Sequence, residues 1–116
     1  FKNDELVPKD FFKIDFDKDD WQKIPVPSNW QFHTDDFPLY TNIVYPYEIN
    51  PPYMPKEYNP VGLYHREFTV DKDWNDKQIF IHFGAVNSAF YLWINGDFVG
   101  YSEGREELVD FETANL

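Results

Sequence analysis

The sequence predicts an all-β domain, a β-sandwich of short antiparallel strands, and three observations predict it. Between residues 63 and 102, apolar and polar side chains alternate with a period of two. Turn residues recur about every ten positions, the spacing of sandwich strands. Asn95-Gly96 separates two alternating runs. Such a two-residue hairpin turn needs positive φ at both positions, which Asn and Gly adopt at least cost. No stretch carries helical periodicity, and there is no internal repeat or low-complexity segment.

Each element follows in order. Residues 1–23, FKNDELVPKDFFKIDFDKDDWQK, interrupt every apolar pair with charge. They read as an irregular or partly extended lead-in, pinned by Phe11, Phe12, Phe16 and Trp21. Residues 24–60 hold eight of the nine prolines. IPVPSNW, FPLYTN, YPYEINPPYMP and EYNP cannot be helix interior or central strand. The same segment is full of aromatic rings, so it reads as a long ordered loop rather than a flexible linker.

Strands are expected across 61–116. LYHREFTV (63–70) puts Tyr64, Arg66, Phe68 and Val70 on one face. DKDWNDK is a turn region. QIFIHF (78–83) puts Ile79, Ile81 and Phe83 together. In the hairpin, Ala89, Tyr91 and Trp93 face one way; Phe90, Leu92 and Ile94 face the other. Tyr91, Trp93, Phe80 and Phe83 alternate as core residues do.

The 116 residues suggest one domain, 1–116, and 12 Phe, 8 Tyr and 4 Trp supply enough bulk for a core without staples. The formal net charge is -11. Such a chain repels phosphate backbones and anionic lipid, which disfavours nucleic acid and membrane partners. The absence of cysteine excludes disulfides, thiolate metal sites and a cysteine nucleophile. The first residue is Phe1 and not Met, so the chain reads as a piece of a longer protein.

Catalytic chemistry finds little support in the residues. Glycoside hydrolysis needs two carboxylates about 5–10 Å apart. Glu106 and Glu107 are neighbours and would point to opposite faces of a strand. Glu48 and Glu57 lie in the Pro-rich segment without an evident partner. Asp15, Asp17 and Asp19 resemble the start of a calcium loop, but Asp20 stands where Gly is required and Val26 where Glu is required. His33, His65 and His82 show no metal-ligand spacing, and His65 and His82 read as sheet-face residues. No phosphate loop and no Ser-His-Asp spacing occurs. The expected catalytic and metal sets of this chain are therefore empty.

Sugars can also be held by rings, with a few amides fixing the hydroxyls. Trp30, Tyr40, Tyr45, Tyr47 and Tyr53 are the candidates that a core does not readily claim. Asn87 is a further oddity. With Ser88 it forms a polar pair between Val86 and Ala89, where a strand begins. On the residues alone it either caps a turn or points at a ligand, and the turn is the stronger reading.

Five blocks carry a family resemblance. IPVPSNWQ (24–31), PLYTN (38–42), YPYEINPPYMP (45–55), NPVGLYHREF (59–68) and FGAVNSAFYLWINGDFVGYS (83–102) stand in one order and spacing. Together they closely resemble the N-terminal sugar-binding domain of the LacZ-type β-galactosidases of glycoside hydrolase family 2, over nearly the whole chain. The VPSNWQ and NPP stretches resemble that branch more than the β-glucuronidases or β-mannosidases.

The resemblance implies a jelly-roll β-sandwich of the galactose-binding type. It implies a parent that hydrolyses terminal non-reducing β-D-galactosides such as lactose, with retention. The implied partners are immunoglobulin-like domains, a TIM barrel and a homo-oligomer of the parent. Catalytic glutamates and magnesium and sodium ligands would lie outside this segment, and a cytoplasmic location is expected. It also implies that Asn87, in the VNSAF block, reaches the galactose pocket, while Ser88 stays structural.

After GYS the chain departs from the family pattern. Gly104, Asp110, Phe111 and Glu112 keep its outline, but Glu106 and Leu108 stand where Arg and Pro are usual. Two other readings remain beside the galactosidase domain: an autonomous galactoside-binding module, and a purely structural domain.

Overall fold

The computed structural model describes residues 1–35, 50–53, 55–104 and 109–113. All its regular ladders are antiparallel β-structure, and its helical pieces are single 3-10 turns. The all-β class read from the alternation is the class observed. The chain divides into two compact units, 1–9 with 17–65, and 10–16 with 66–116.

In the first unit, the lead-in is held by the end of the Pro-rich segment. The Phe1 nitrogen donates to the Val61 carbonyl at 3.0 Å. The Val61 N–H returns to Phe1 O at 2.9 Å. The Asn3 side-chain amide donates to Lys56 O at 3.1 Å, while its Oδ1 accepts from Leu6 N–H. That second bond caps the turn Asp4–Leu6. Lys56 and Val61 thus meet the lead-in through their backbone groups.

The second unit carries the sandwich. Phe80–Phe83 (β1), Ala89–Ile94 (β2), Asp97–Glu103 (β3) and Val109–Glu112 (β4) form two two-stranded sheets, β1 with β4 and β2 with β3. Asn95 (φ 52°) and Gly96 (φ 90°) make the hairpin turn, the backbone that Asn-Gly demands. Phe83, Phe90 and Phe111 pack together between the sheets, with ring centroids 4.9 to 6.1 Å apart.

The opposite face of the hairpin is also aromatic. Trp93 lies 5.0 Å from Phe11 and stacks on Phe12 at 5.8 Å. Tyr91, Phe98 and Tyr101 continue that face towards solvent. A bulge between Leu92 and Trp93 sets the register: Leu92 faces Gly100 but Trp93 faces Phe98. Val99 is the extra residue, and the bulge puts Phe98 and Tyr101 on one face although they are three apart.

Two readings need correction. Residues 63–70 join no strand ladder among the described residues. Alternation fixes which way side chains point, but a strand also needs a partner to take its N–H and C=O groups. Tyr91 and Phe80 are not core: they are 61% and 53% exposed, whereas Phe83 and Trp93, read with them, are half-buried, as are Ile81, Phe90 and Leu92.

Candidate functional site

Asn87 sits in the link 84–88 between β1 and β2. The link is tied at its far end: the Gly104 N–H donates to Ser88 O at 2.8 Å, and Ala89 pairs with Glu103 in the first rung of the hairpin. Asn87 thus rides on the rigid base of β2 and β3. Its peptide bond to Ser88 is cis. The side chain is exposed, and among the described residues its amide has no hydrogen-bond partner. No side-chain bond of Asn87 caps a turn among the described residues, and β2 begins two residues later at Ala89.

The same end of β3 carries a short polar pair. Tyr101 Oη donates to Glu103 Oε2 at 2.6 Å. Residues two apart on a strand share a face, so the spacing alone brings them together. Bonding to the Glu103 carboxylate, with partial desolvation and the nearby negative charge, raises the Tyr101 phenol above its usual 10.0. The sequence signal was present in YSE and went unread.

Other candidates separate. Trp30 lies on the turn Trp30–His33, with its ring beside Gly62. Tyr53 is 73% exposed, held by its N–H to Asn50 O. Tyr40, Tyr45, Tyr47, Glu48, Glu106 and Glu107 lie outside the described residues. Glu57 is exposed. His82 stands on the outer face of β1 with Asp110 of β4 opposite, Nδ1 to Oδ1 2.7 Å, a sheet-face pair.

Asp17 Oδ1 accepts the Asp19 N–H at 2.9 Å in a local turn. No three His, Asp or Glu side chains converge among the described residues. The chemistry Asn87 can offer is that of a neutral amide: two N–H donors and one acceptor oxygen on a fixed stem.

Comparison with known proteins places this geometry in a family. The model of the glycosyl hydrolases family 2 sugar binding domain matches residues 1–115. A β-galactosidase of Priestia megaterium is 47% identical over 108 residues, 90% of this chain and 10% of that protein. A β-galactosidase of Psychromonas ingrahamii is 44% identical over 112 residues, 97% of this chain and 11% of that protein. One from Vibrio cholerae is 46% identical over 112 residues, with the same coverage. The chain spans about a tenth of the length of the curated relatives it matches. It belongs to the sugar-binding domain family of the family 2 glycosyl hydrolases.

Proposed function

We propose that this chain is the non-catalytic N-terminal domain of a β-galactosidase that hydrolyses terminal β-D-galactosides with retention. Asn87 is its contribution to the galactose pocket. The observation that carries this reading is the pairing of relatives all named β-galactosidase with an exposed, unpartnered amide on a braced hairpin. An amide can donate to one sugar hydroxyl and accept from its neighbour. It carries no charge, so it leaves the pKa values of nearby catalytic carboxylates undisturbed.

The acid, base and nucleophile belong to the rest of the parent, as do its magnesium and sodium and its oligomer contacts. The chain alone is expected to be inactive. A cytoplasmic site of action belongs to the same proposal.

A chimera tests the domain assignment. This chain replaces the matching segment of the Priestia megaterium enzyme. Lactose hydrolysis within about tenfold of the parental kcat/KM supports the assignment. A folded chimera that hydrolyses another β-glycoside in preference to galactosides overturns it.

A further inference from the structure

We propose that the outward face of the hairpin, Tyr91, Phe98 and Tyr101 with Glu103 at its end, is a docking surface for a further part of the parent chain. The part it fits is an apolar patch that presents a lysine or arginine to Glu103. This rests on the reading of the chain as one domain of a β-galactosidase.

The register gives the two faces of the hairpin different characters. On the inward face Phe90 pairs with Ser102 and Leu92 with Gly100, large against small, and the Phe111 ring lies over Gly100. The outward face pairs large with large: Tyr91 with Tyr101 and Trp93 with Phe98, with Ala89 and Glu103 as the end rung. Its four rings form one continuous surface. Their centroids lie 4.6 Å apart for Tyr91 and Tyr101, 5.5 Å for Trp93 and Phe98, and 5.9 Å for Tyr91 and Trp93.

Exposure does not single out this face, since none of the described residues is fully buried. Composition singles it out instead. An antiparallel sheet with one face in water alternates apolar with polar side chains. The strand Ala89–Ile94, AFYLWI, is apolar throughout, the pattern of a strand covered on both faces. The inward face meets Phe83 and Phe111. On the outward face Phe11 and Phe12 lie against Trp93, and Tyr91, Phe98 and Tyr101 continue beyond them. Tyr101 Oη holds Glu103 Oε2 at 2.6 Å, which leaves Oε1 as an acceptor for a cation.

Length and charge choose the occupant. The chain spans about a tenth of the length of its relatives, so most of the surface a parent offers this face is other chain. The net charge of -11 opposes a second copy, which would bring the same carboxylate to the same face, and favours a neutral or basic surface. Aromatic rings with a charged group at the edge are the composition of an interface centre and its rim.

Hydroxyl-radical footprinting tests the proposal, with the 116-residue chain compared with the full-length parent or the chimera. The expected result is ready oxidation of Tyr91, Phe98 and Tyr101 in the chain alone and several-fold protection of all three in the longer protein. Glu103→Lys should reduce that protection, because it sets like charges together. Tyr91→Ser with Phe98→Ser should lower the thermal midpoint of the longer protein more than that of the chain alone. Rings as reactive in the folded longer protein as in the chain alone overturn the proposal. So does protection that appears in the chain alone and grows with its concentration, which gives the face to a second copy. Lactose hydrolysis is a separate readout: a chimera that hydrolyses lactose with these rings still reactive overturns the docking surface and keeps the domain assignment.

Discussion

The Phe111 ring occupies the space that a side chain on Gly100 would need. A β-carbon built on Gly100 would lie 2.8 Å from Phe111 Cδ1 and closer still to Cε1. Gly100 faces Leu92 across the hairpin, while Phe111 lies on β4 and touches Phe83 and Phe90. The missing side chain on one sheet is therefore the seat of a ring from the other.

Gly100→Ala is expected to cost about 1–3 kcal/mol of stability, the scale of an overpacked core position. Denaturant unfolding measures it. Phe111→Leu in the same molecule should recover part of the loss, because the two changes share one volume. Additive losses would mean the contact does not carry the effect.

Gly96→Ala should cost about 1 kcal/mol for another reason. Its φ of 90° strains any L side chain, while the space around it is ordinary, with Ile14 Cγ1 at 3.8 Å. A proline or lead-in change far from the turn should not rescue it. An unchanged midpoint for Gly96→Ala would contradict the turn geometry.

Phe90→Ala and Tyr91→Ala distinguish the two hairpin faces. Phe90 is half-buried against Phe83 and Phe111, and its truncation should cost about 2–4 kcal/mol, below the full range for a wholly buried ring. Tyr91 is 61% exposed, and its truncation should cost less than about 1 kcal/mol. Equal costs would show that both faces are covered in solution.

Tyr101 sets a test in alkaline solution. Its folded phenol is raised, first by the bond to Glu103, so folded chain holds that proton more tightly than unfolded chain. The contribution is present in full below 10.0 and fades as pH climbs through the raised value. Ultraviolet titration should find Tyr101 among the late-ionising tyrosines, beside Tyr64, whose phenol burial also raises. Glu103→Gln should bring Tyr101 back towards 10.0, since the carboxylate charge goes while an acceptor oxygen remains. No movement on that substitution would dismiss the pairing.

The hairpin was legible because every local signal agreed: period-two alternation on both sides and Asn-Gly between. The pairing of β1 with β4 was not, because those strands are non-consecutive and the hairpin intervenes. Val109, Asp110, Phe111 and Glu112 alternate, and that signal could have marked the strand within the stretch that departs from the family pattern. The bulge at Val99 escaped because a strict period of two cannot place Phe98 with Tyr101. Residues 63–70 failed the other way: the right alternation, with no ladder partner among the described residues. Asn87 was visible as a misplaced polar residue, but its proposed role came from family resemblance, since the pocket it would serve would draw mostly on other chain.

The most direct test is the kinetics of Asn87→Ala in the full-length parent or in the chimera. The account predicts a fall in kcat/KM worth about 2–4 kcal/mol, with an unchanged thermal midpoint. On that proposal Asn87→Asp should also lower kcat/KM, because it would bring a charge towards the catalytic carboxylates of the parent. Undiminished kcat/KM in a folded Asn87→Ala enzyme would contradict the claim that this amide touches the substrate.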